Sequence, residues 1–310
     1  MPKSASQLER MLEAGQFAVI AELKPPDSAD LSAFIEEALI LRGMCDTIAL
    51  TDNPMANVHV ANIAPGALLV GRGFDVMCSM TSRDRNRIGQ QGYLLALAAL
   101  GITNIFCPTG DHPRYGDHPD ATAVYETNSL KMIALARKMR DAGTYDSGRR
   151  LESPPRVFIG GTAAPDSPPI ADRPQDALRK VEAGADFLMS QPILDITAFK
   201  QYMARLRDLG VTERAHFIAG IAPVPSLEMA EALRNTPDIA IVDAMMDRLR
   251  RTPEGRRDEE GLQIGVEIVE EVRAIAGVHG VLIYPLGCPP ERMVRLIERA
   301  ELRRVPTAQG

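Results

Sequence analysis

The sequence predicts a single-domain α/β protein folded as a (β/α)8 barrel. Short apolar runs recur along the 310 residues at a common step of about 29 residues, which is the length of one βα unit. Amphipathic helical stretches lie between these runs. An open doubly wound sheet is the alternative, but the GxGxxG motif typical of its first strand does not follow the first run. The number of units favours the closed barrel.

Each predicted strand is a short, mostly apolar run. This pattern is typical of a parallel strand covered on both faces, rather than of a half-exposed strand with alternating polarity. Two steps between strands are longer than the rest, and they leave room for an inserted loop at Gly143–Pro155 and for extra helices before the last strand. The predicted strands are Phe17–Leu23, Asp46–Thr51, Asp75–Met80, Thr103–Cys107, Arg156–Gly160, Asp186–Ser190, His216–Gly220 and Gly280–Tyr284.

The predicted helices are rich in Ala, Leu, Met and Arg, with apolar residues at i, i+3 and i+4. Glycines that end helices follow several of them, as in Ala183-Gly184-Ala185. The chain's first residues are also helix-patterned. The helices predicted between the strands are Ser32–Arg42, Asn86–Leu100, Ser129–Ala142, Pro174–Ala183, Ile196–Leu209 and Ser226–Asn235.

Composition and charge exclude several classes of partner. A net charge of −6 argues against a nucleic-acid partner, because binding to a phosphate backbone needs a basic face. The longest apolar run, Tyr93–Leu100, is far shorter than the ~20 residues that cross a bilayer, so no membrane association is expected. The N-terminus lacks the apolar stretch of a secretory signal, and the four cysteines form no CxxC pair. We therefore expect a cytoplasmic protein with reduced thiols.

One dense basic run is interrupted by Pro253 and Gly255. We interpret it as a solvated surface loop, with a docking site for a redox partner as the alternative. The run comprises Arg248, Arg250, Arg251, Arg256 and Arg257.

Polar residues or turn-forming Gly and Pro follow all eight predicted strands, at the end of the barrel where active sites lie. Glu22 closes an otherwise apolar strand, where a carboxylate is costly unless it is paired or used. An apolar setting raises a carboxyl pKa, which suits a general acid, whereas a salt bridge to an arginine is the structural alternative. Asp111 follows Gly110 in a tight turn and is read from the motif alone as either a functional or a turn-forming aspartate.

No metal site, serine-hydrolase motif or phosphate-binding loop is predicted. The histidines are scattered, without HExxH or a His/Cys cluster, and His112 and His118 are read as solvated loop residues rather than zinc ligands. Neither GxSxG nor a P-loop is present. Composition and spacing thus indicate an α/β-barrel enzyme with an acid at its first strand and go no further.

Six motifs recur in order along the predicted barrel: Ala21-Glu22-Leu23-Lys24-Pro25-Pro26, Thr81-Ser82-Arg83-Asp84-Arg85-Asn86, Thr109-Gly110-Asp111, Ala183-Gly184-Ala185-Asp186, Ser190-Gln191-Pro192 and Gly220-Ile221-Ala222-Pro223-Val224. In order and spacing these motifs resemble the methylenetetrahydrofolate reductase family. The similarity runs from about residue 15 to residue 302 and is closest to the short bacterial branch, so we expect one barrel domain over residues 1–310 and no regulatory domain.

The resemblance implies non-covalently bound FAD and a tetrahydrofolate derivative as substrate. NADH, NADPH or another donor reduces the flavin, and the methylene group of the folate then accepts a hydride from flavin N5. Glu22 matches the acid that protonates the bridging nitrogen. Asp111 matches the aspartate beside the flavin and the pterin, and Gln191 matches the glutamine that reads the pterin ring. Leu227 and Tyr284 match further substrate-side positions.

The resemblance also implies a set of flavin-binding positions. Arg179 and Lys180 suit a pyrophosphate, although without the family context they would be read as ordinary helix surface charges. The remaining positions, with Asp111, are Thr51, Ser79, Thr109, Gly110, Tyr125, Thr162 and Ala163.

The chain departs from the family at several of these positions. Ser79 stands where many members have histidine, Thr109 where several have arginine, and Leu227 where some have an aromatic residue. Gly287 and Cys288 stand where others carry Asn and Arg. The departures leave flavin affinity, the electron donor and the direction of the reaction open.

Two other functions remain as alternatives. One is a folate-binding barrel that transfers a methyl group to a corrinoid protein without flavin. The other is a non-catalytic barrel subunit that docks a redox partner through the basic run near Arg250. For the enzyme itself we expect a homo-oligomer.

Overall fold

The computed structural model describes residues 2–236 and 239–303. Eight parallel strands pair in sequence order, and β8 pairs with β1, so the sheet closes into a barrel. The prediction of a single-domain (β/α)8 barrel is confirmed, and each predicted strand is present with its ends shifted by a few residues. The strands are β1 Ala18–Leu23, β2 Thr47–Leu50, β3 Val76–Ser79, β4 Asn104–Phe106, β5 Phe158–Ala163, β6 Phe187–Pro192, β7 His216–Ile221 and β8 Gly280–Ile283.

Helices surround the barrel, and the six predicted between strands are confirmed. The helix predicted at Ser129–Ala142 ends in a π-helical turn, Lys138–Ala142. The helices are α1 Gln7–Glu13, α2 Ser32–Ile40, α3 Ile63–Val70, α4 Arg87–Ala99, α5 Ser129–Arg137, α6 Arg173–Ala183, α7 Ile196–Asp208, α8 Leu227–Arg234, α9 Asp243–Arg251, α10 Arg257–Arg273 and α11 Pro290–Arg299.

Helix α3 was not predicted, because it contains Pro65 and Gly66. A proline in the first turn of a helix gives up no hydrogen bond. Gly66 lets α3 lie close to the barrel, since a Cβ there would be 2.9 Å from Ile102 Cδ1 and 3.2 Å from Cys78 Sγ. Close packing on the sheet thus outweighs the low helix propensity of this segment.

The core has two layers, set by the alternation of side chains along each strand. In β1, Ala18 and Ile20 belong to the cluster inside the barrel, whereas Val19 and Ala21 belong to the cluster between barrel and helices. Leu8 and Leu12 of α1 join the inner cluster. Helix α1 therefore covers the amino-terminal end of the barrel, and the carboxyl-terminal end, here called the mouth, carries the polar strand ends.

Two stacked phenylalanines fill the inner layer. The ring centroids of Phe158 and Phe187 are 5.1 Å apart, and both side chains are fully buried. Gly160 makes room for them, because a Cβ at this position would lie 2.3 Å from Phe187 Cζ. The barrel interior is thus a packed floor beneath the mouth.

The basic run is not a loop, and that prediction is wrong. Helix α9 ends at Arg251, and α10 begins at Arg257 after a short 3-10 turn. Arg248 forms ion pairs with Glu260 and Glu267 of α10. Acidic residues placed later in the chain therefore hold this segment as paired helices. None of the helices within the described ranges is both long and apolar enough to cross a membrane.

The packing of the inner layer leads to a prediction about the stability of the protein. Phe187→Ala removes half of the aromatic stack, and we expect the free energy of unfolding to fall by about 3–5 kcal/mol in urea denaturation. Ile88→Ala, at a side chain that is 82% exposed, is the control and should change it by less than about 0.5 kcal/mol. Equal losses in the two variants would contradict the assignment of Phe187 to the core.

Candidate active site at the barrel mouth

Polar side chains continue the inward-facing positions of several strands at the mouth. In β1, Glu22 follows Ala18 and Ile20 in the alternation of the inner cluster. Thr51 and Ser79 follow inward-facing Ala49 and Met77 in the same way. By the same alternation Thr162 extends β5 beyond Phe158 and Gly160, and Tyr284 extends β8 beyond Leu282. These side chains therefore form the layer above the aromatic floor.

Glu22 lies on the wall of a cavity of about 710 Å³, together with Thr51 and Tyr284. Across the described ranges, no hydrogen-bond or ion-pair partner is found for its carboxyl group, and burial alone acts on its pKa, so the salt-bridge alternative gains no support. Burial raises the pKa of Glu22 from 4.5 to about 7. Its position therefore gives a carboxyl group that holds a proton near neutral pH and faces a cavity. Gly287 and Cys288, two departures from the family pattern, line the same cavity.

Tyr284 connects Glu22 to the end of β6. Burial, and the charge of nearby Glu22, raise the pKa of the Tyr284 hydroxyl well above its usual value. The hydroxyl donates a hydrogen bond to Ser190 O at 3.0 Å, one residue before Gln191. Gln191 is partly exposed, and in the described part of the chain its amide makes no hydrogen bond. Leu227 packs against the same apolar cluster as Tyr284. Tyr284 thus lines the cavity together with Glu22 and contacts the end of β6, whereas Gln191 and Leu227 are not among the residues that line this cavity.

Asp111 joins two loops of the mouth. Its Oδ2 accepts a hydrogen bond from Met55 N–H at 2.8 Å, in the segment after β2. Met55 and Ala56 have φ angles of 54° and 57°, in the left-handed region that non-glycine residues rarely adopt. Tyr125 donates to the carbonyl oxygens of Gly110 and Asp111 at 3.1 and 3.0 Å and fixes the turn. Asp111 therefore stabilises loop structure here, and its contact with flavin and pterin stays a prediction.

The hydroxyl groups predicted to bind flavin divide into two kinds. Thr51 Oγ1 is buried without a hydrogen-bond partner, and Ser79 has a partly exposed side chain that makes no hydrogen bond to the described residues. Thr109 Oγ1 accepts from Ser129 N–H at 3.2 Å, and Thr162 Oγ1 accepts from Lys180 at 3.0 Å. Thr51 and Ser79 thus make no side-chain hydrogen bond within the described residues, whereas Thr109 and Thr162 already support the fold. Ala163 is buried beside Thr162.

Lys180 and Arg179 have different environments. Lys180 is buried, and its Nζ donates to Thr162 O at 2.8 Å and pairs with Asp176 at 2.7 Å. Desolvation lowers the pKa of Lys180, against the raising effect of Asp176. Arg179 is half exposed and lies 3.3 Å from Asp176. Arg179 is therefore the more accessible cation for a phosphate, while Lys180 ties α6 to β5.

The side chains of the Arg83-Asp84-Arg85-Asn86 motif form ion pairs and a helix cap within the fold. Arg83 pairs with Asp84, Arg85 pairs with Asp52 at 2.6 Å, and Asn86 caps α4. These residues shape the β3 loop beside the mouth. No cluster of three His, Cys, Asp or Glu side chains suited to a metal ion occurs in residues 2–236 and 239–303.

Sequence reasoning missed Ser190, whose hydroxyl accepts from Gly220 N–H at 2.8 Å. Gly220 in the predicted strand β7 was the available signal, because a glycine inside a strand often marks a bulge or a close backbone approach. The ion pair between Asp176 and Lys180 could also have been predicted from the sequence, since residues four apart on a helix are neighbours.

The raised pKa of Glu22 makes stability depend on pH. The folded state holds a proton up to about pH 7, whereas the unfolded carboxyl loses it near 4.5, so folding binds a proton between these values. Wild-type stability should therefore fall, relative to Glu22→Gln, as pH rises from about 4.5 to 7, by up to about 3 kcal/mol. Urea denaturation across this range measures the difference.

Glu37→Gln, at an exposed carboxylate lining the same cavity, is the matched control for loss of one charge. If the free energy of unfolding of the wild type changed with pH in parallel with that of Glu22→Gln throughout, folding would not raise the pKa of Glu22.

A probable methylenetetrahydrofolate reductase (NADPH) of Caenorhabditis elegans is 24% identical over 196 residues, covering 62% of this chain. The match spans 26% of that longer protein.

Two solved structures share the barrel fold. An uncharacterized protein from Clostridium thermocellum, described as binding two copies of 5-methyl-5,6,7,8-tetrahydrofolic acid, has a TM-score of 0.64 at 12% identity, covering 95% of this chain and 98% of that one. Tryptophan synthase from M. tuberculosis has a TM-score of 0.52 at 15% identity, covering 97% and 100%. Both identities are low, so these likenesses show the fold alone.

The family comparison covers nearly the whole barrel. The methylenetetrahydrofolate reductase family model matches residues 7–290, a range that includes Glu22, Asp111, Gln191 and Tyr284. The chain belongs to the methylenetetrahydrofolate reductase family.

Proposed function

We propose that this chain is a flavin-dependent reductase that interconverts 5,10-methylenetetrahydrofolate and 5-methyltetrahydrofolate. The observation that carries the proposal is Glu22, an unpaired carboxyl group with a pKa of about 7 on the wall of a 710 Å³ cavity. Family membership supports the reaction. The methyltetrahydrofolate described for the Clostridium thermocellum barrel supports the class of ligand.

Glu22 acts as the general acid. Because its pKa lies near neutral pH, the carboxyl group holds a proton and can also release it. The proton goes to the bridging nitrogen of the methylene group, which opens the five-membered ring to the reactive iminium. The packed floor of aromatic rings beneath Glu22 keeps bulk water from the buried side of the carboxyl group.

The pterin binds beside the end of β6 and the turn that carries Asp111. The Gln191 amide offers both a donor and an acceptor, as a heterocycle with mixed edges requires. Tyr284 and Leu227 contribute apolar surface beside it. Asp111 has one carboxylate oxygen on Met55, and its Oδ1 remains for the amino edge of the pterin.

The residues present fit FAD as the cofactor. The buried, unpaired Thr51 Oγ1 indicates a group that is missing a partner, and Ser79 extends the same inner row on β3. Arg179 is the cation that would hold the pyrophosphate, and Lys180 acts through its bond to Thr162. FAD supplies the hydride chemistry, with electrons from NADH, NADPH or a redox partner protein; the nematode relative's name includes NADPH.

Absorbance tests the cofactor. We expect the purified protein to be yellow, or to become so with added FAD, with absorption near ~450 nm that reductant bleaches. Thr51→Val should raise the Kd for FAD about five- to tenfold, because it removes one hydrogen bond in a buried site. Thr122→Val, at an exposed loop position, is the control.

A colourless protein that ignores added FAD would exclude the flavin mechanism. Binding of 5-methyltetrahydrofolate by such a protein would favour the flavin-free methyltransferase instead.

Kinetics test the acid. Glu22→Gln should lower the turnover of methylenetetrahydrofolate about 10²–10⁴-fold while leaving the Kd for 5-methyltetrahydrofolate within about threefold of wild type. The amide keeps the shape of the side chain and loses the proton. Full turnover by this variant would refute the role of Glu22, and equal loss of turnover in Glu37→Gln would make the effect non-specific.

A further inference from the structure

Strand β6 ends in a β-bulge. Met189 pairs with Ile218, but the next registered pair is Pro192 with Gly220, so β6 uses one more residue than β7 over this stretch. Ser190 and Gln191 together oppose Ala219. A bulge of this kind re-aims a side chain and is frequent beside active sites.

The Ser190 hydroxyl builds the bulge by replacing a backbone group. At the start of the pair, His216 N–H donates to Asp186 O, and the same spacing would pair Gly220 N–H with Ser190 O. Instead, Gly220 N–H donates to Ser190 Oγ at 2.8 Å. The same hydroxyl donates to Gln191 O at 2.8 Å. Ser190 is 1% exposed, so water does not substitute for either bond.

Two residues on other strands accommodate the displaced backbone of β6: Gly220 leaves space for it, and Tyr284 donates a hydrogen bond to it. A Cβ on Gly220 would lie 2.7 Å from Ser190 O and 2.6 Å from Gln191 O, so only glycine leaves room for these carbonyl groups. The Tyr284 hydroxyl donates to Ser190 O at 3.0 Å and replaces the lost ladder bond. The displaced Gly220 N–H and Ser190 O are therefore both paired, and β6, β7 and β8 together fix the arrangement.

We propose that Ser190 is a positioning residue for the recognition of the folate ring by Gln191. This rests on the proposed function, because Gln191 needs a heterocyclic ligand to read. The hydroxyl of Ser190 holds the peptide that carries Gln191, and the amide of Gln191 is the group at this strand end that meets the ligand. Tyr284 acts on the same peptide from β8 through its hydroxyl.

A double-mutant cycle with the full chain tests the proposal. The Kd for 5-methyltetrahydrofolate is measured by titration calorimetry for wild type, Ser190→Ala, Gln191→Ala and the double variant. We expect each single variant to raise Kd about tenfold and the double variant to raise it little further, because the loss of Ser190 has already misplaced the amide. Additive effects, about hundredfold in the double variant, would overturn the proposal.

Ser226→Ala is the matched control. Ser226 also has a hydroxyl that accepts a backbone N–H, from Met229 at 3.1 Å, at the start of α8. Its effect on Kd should simply add to that of Gln191→Ala, since it does not touch the bulge. Thermal unfolding of every variant separates loss of stability from loss of affinity.

Tyr284→Phe provides the second cycle if Ser190→Ala fails to fold. It removes the bond to Ser190 O and should also be non-additive with Gln191→Ala, whereas additivity would overturn the proposal. Wild-type protein that does not bind 5-methyltetrahydrofolate would refute the proposed function and this inference with it. Wild-type binding that Gln191→Ala leaves unchanged would refute the inference alone.

Discussion

The packing of the barrel interior is the constraint on which the rest of the structure depends. Eight parallel strands enclose a space that inward-facing side chains must fill, and Phe158 and Phe187 fill it where Gly160 gives them room. The filled interior supports the next inward-facing layer, which includes Glu22. A carboxyl group resting on hydrocarbon loses solvation on that side, and its pKa rises for this reason. Fold and acidity therefore have one physical origin.

Much of the fold could be predicted from local pattern. Continuous apolar runs separated by amphipathic helices identify a parallel barrel without knowledge of any contact. Glu22 could also be predicted, because a charge at the end of an apolar strand is conspicuous in sequence. Its raised pKa follows from the same alternation that makes the strand recognisable.

Features that depend on distant partners could not be predicted in this way. Arg248 looks like part of a solvated basic loop until Glu260 and Glu267 are brought beside it. Helix α3 contains Pro65 and Gly66, and its packing on β3 is visible only in three dimensions. The bulge at Ser190 needs Gly220 and Tyr284 from two other strands, so nothing in the local sequence of β6 indicates it. The sequence pattern thus predicts features whose environment one strand sets, and it does not predict features to which several strands contribute.

The hydrogen bond from Met55 N–H to Asp111 has a thermodynamic consequence. Met55 and Ala56 hold left-handed backbone angles that cost each residue about 1–3 kcal/mol, and the Asp111 carboxylate is one of the groups that stabilises them. A ligand that bonds to the free Oδ1 meets a carboxylate whose orientation the loop sets through Oδ2. Binding at Asp111 and the conformation of the β2 loop are therefore linked equilibria, so substitutions at Met55 or Ala56 would shift ligand affinity through the orientation of this carboxylate.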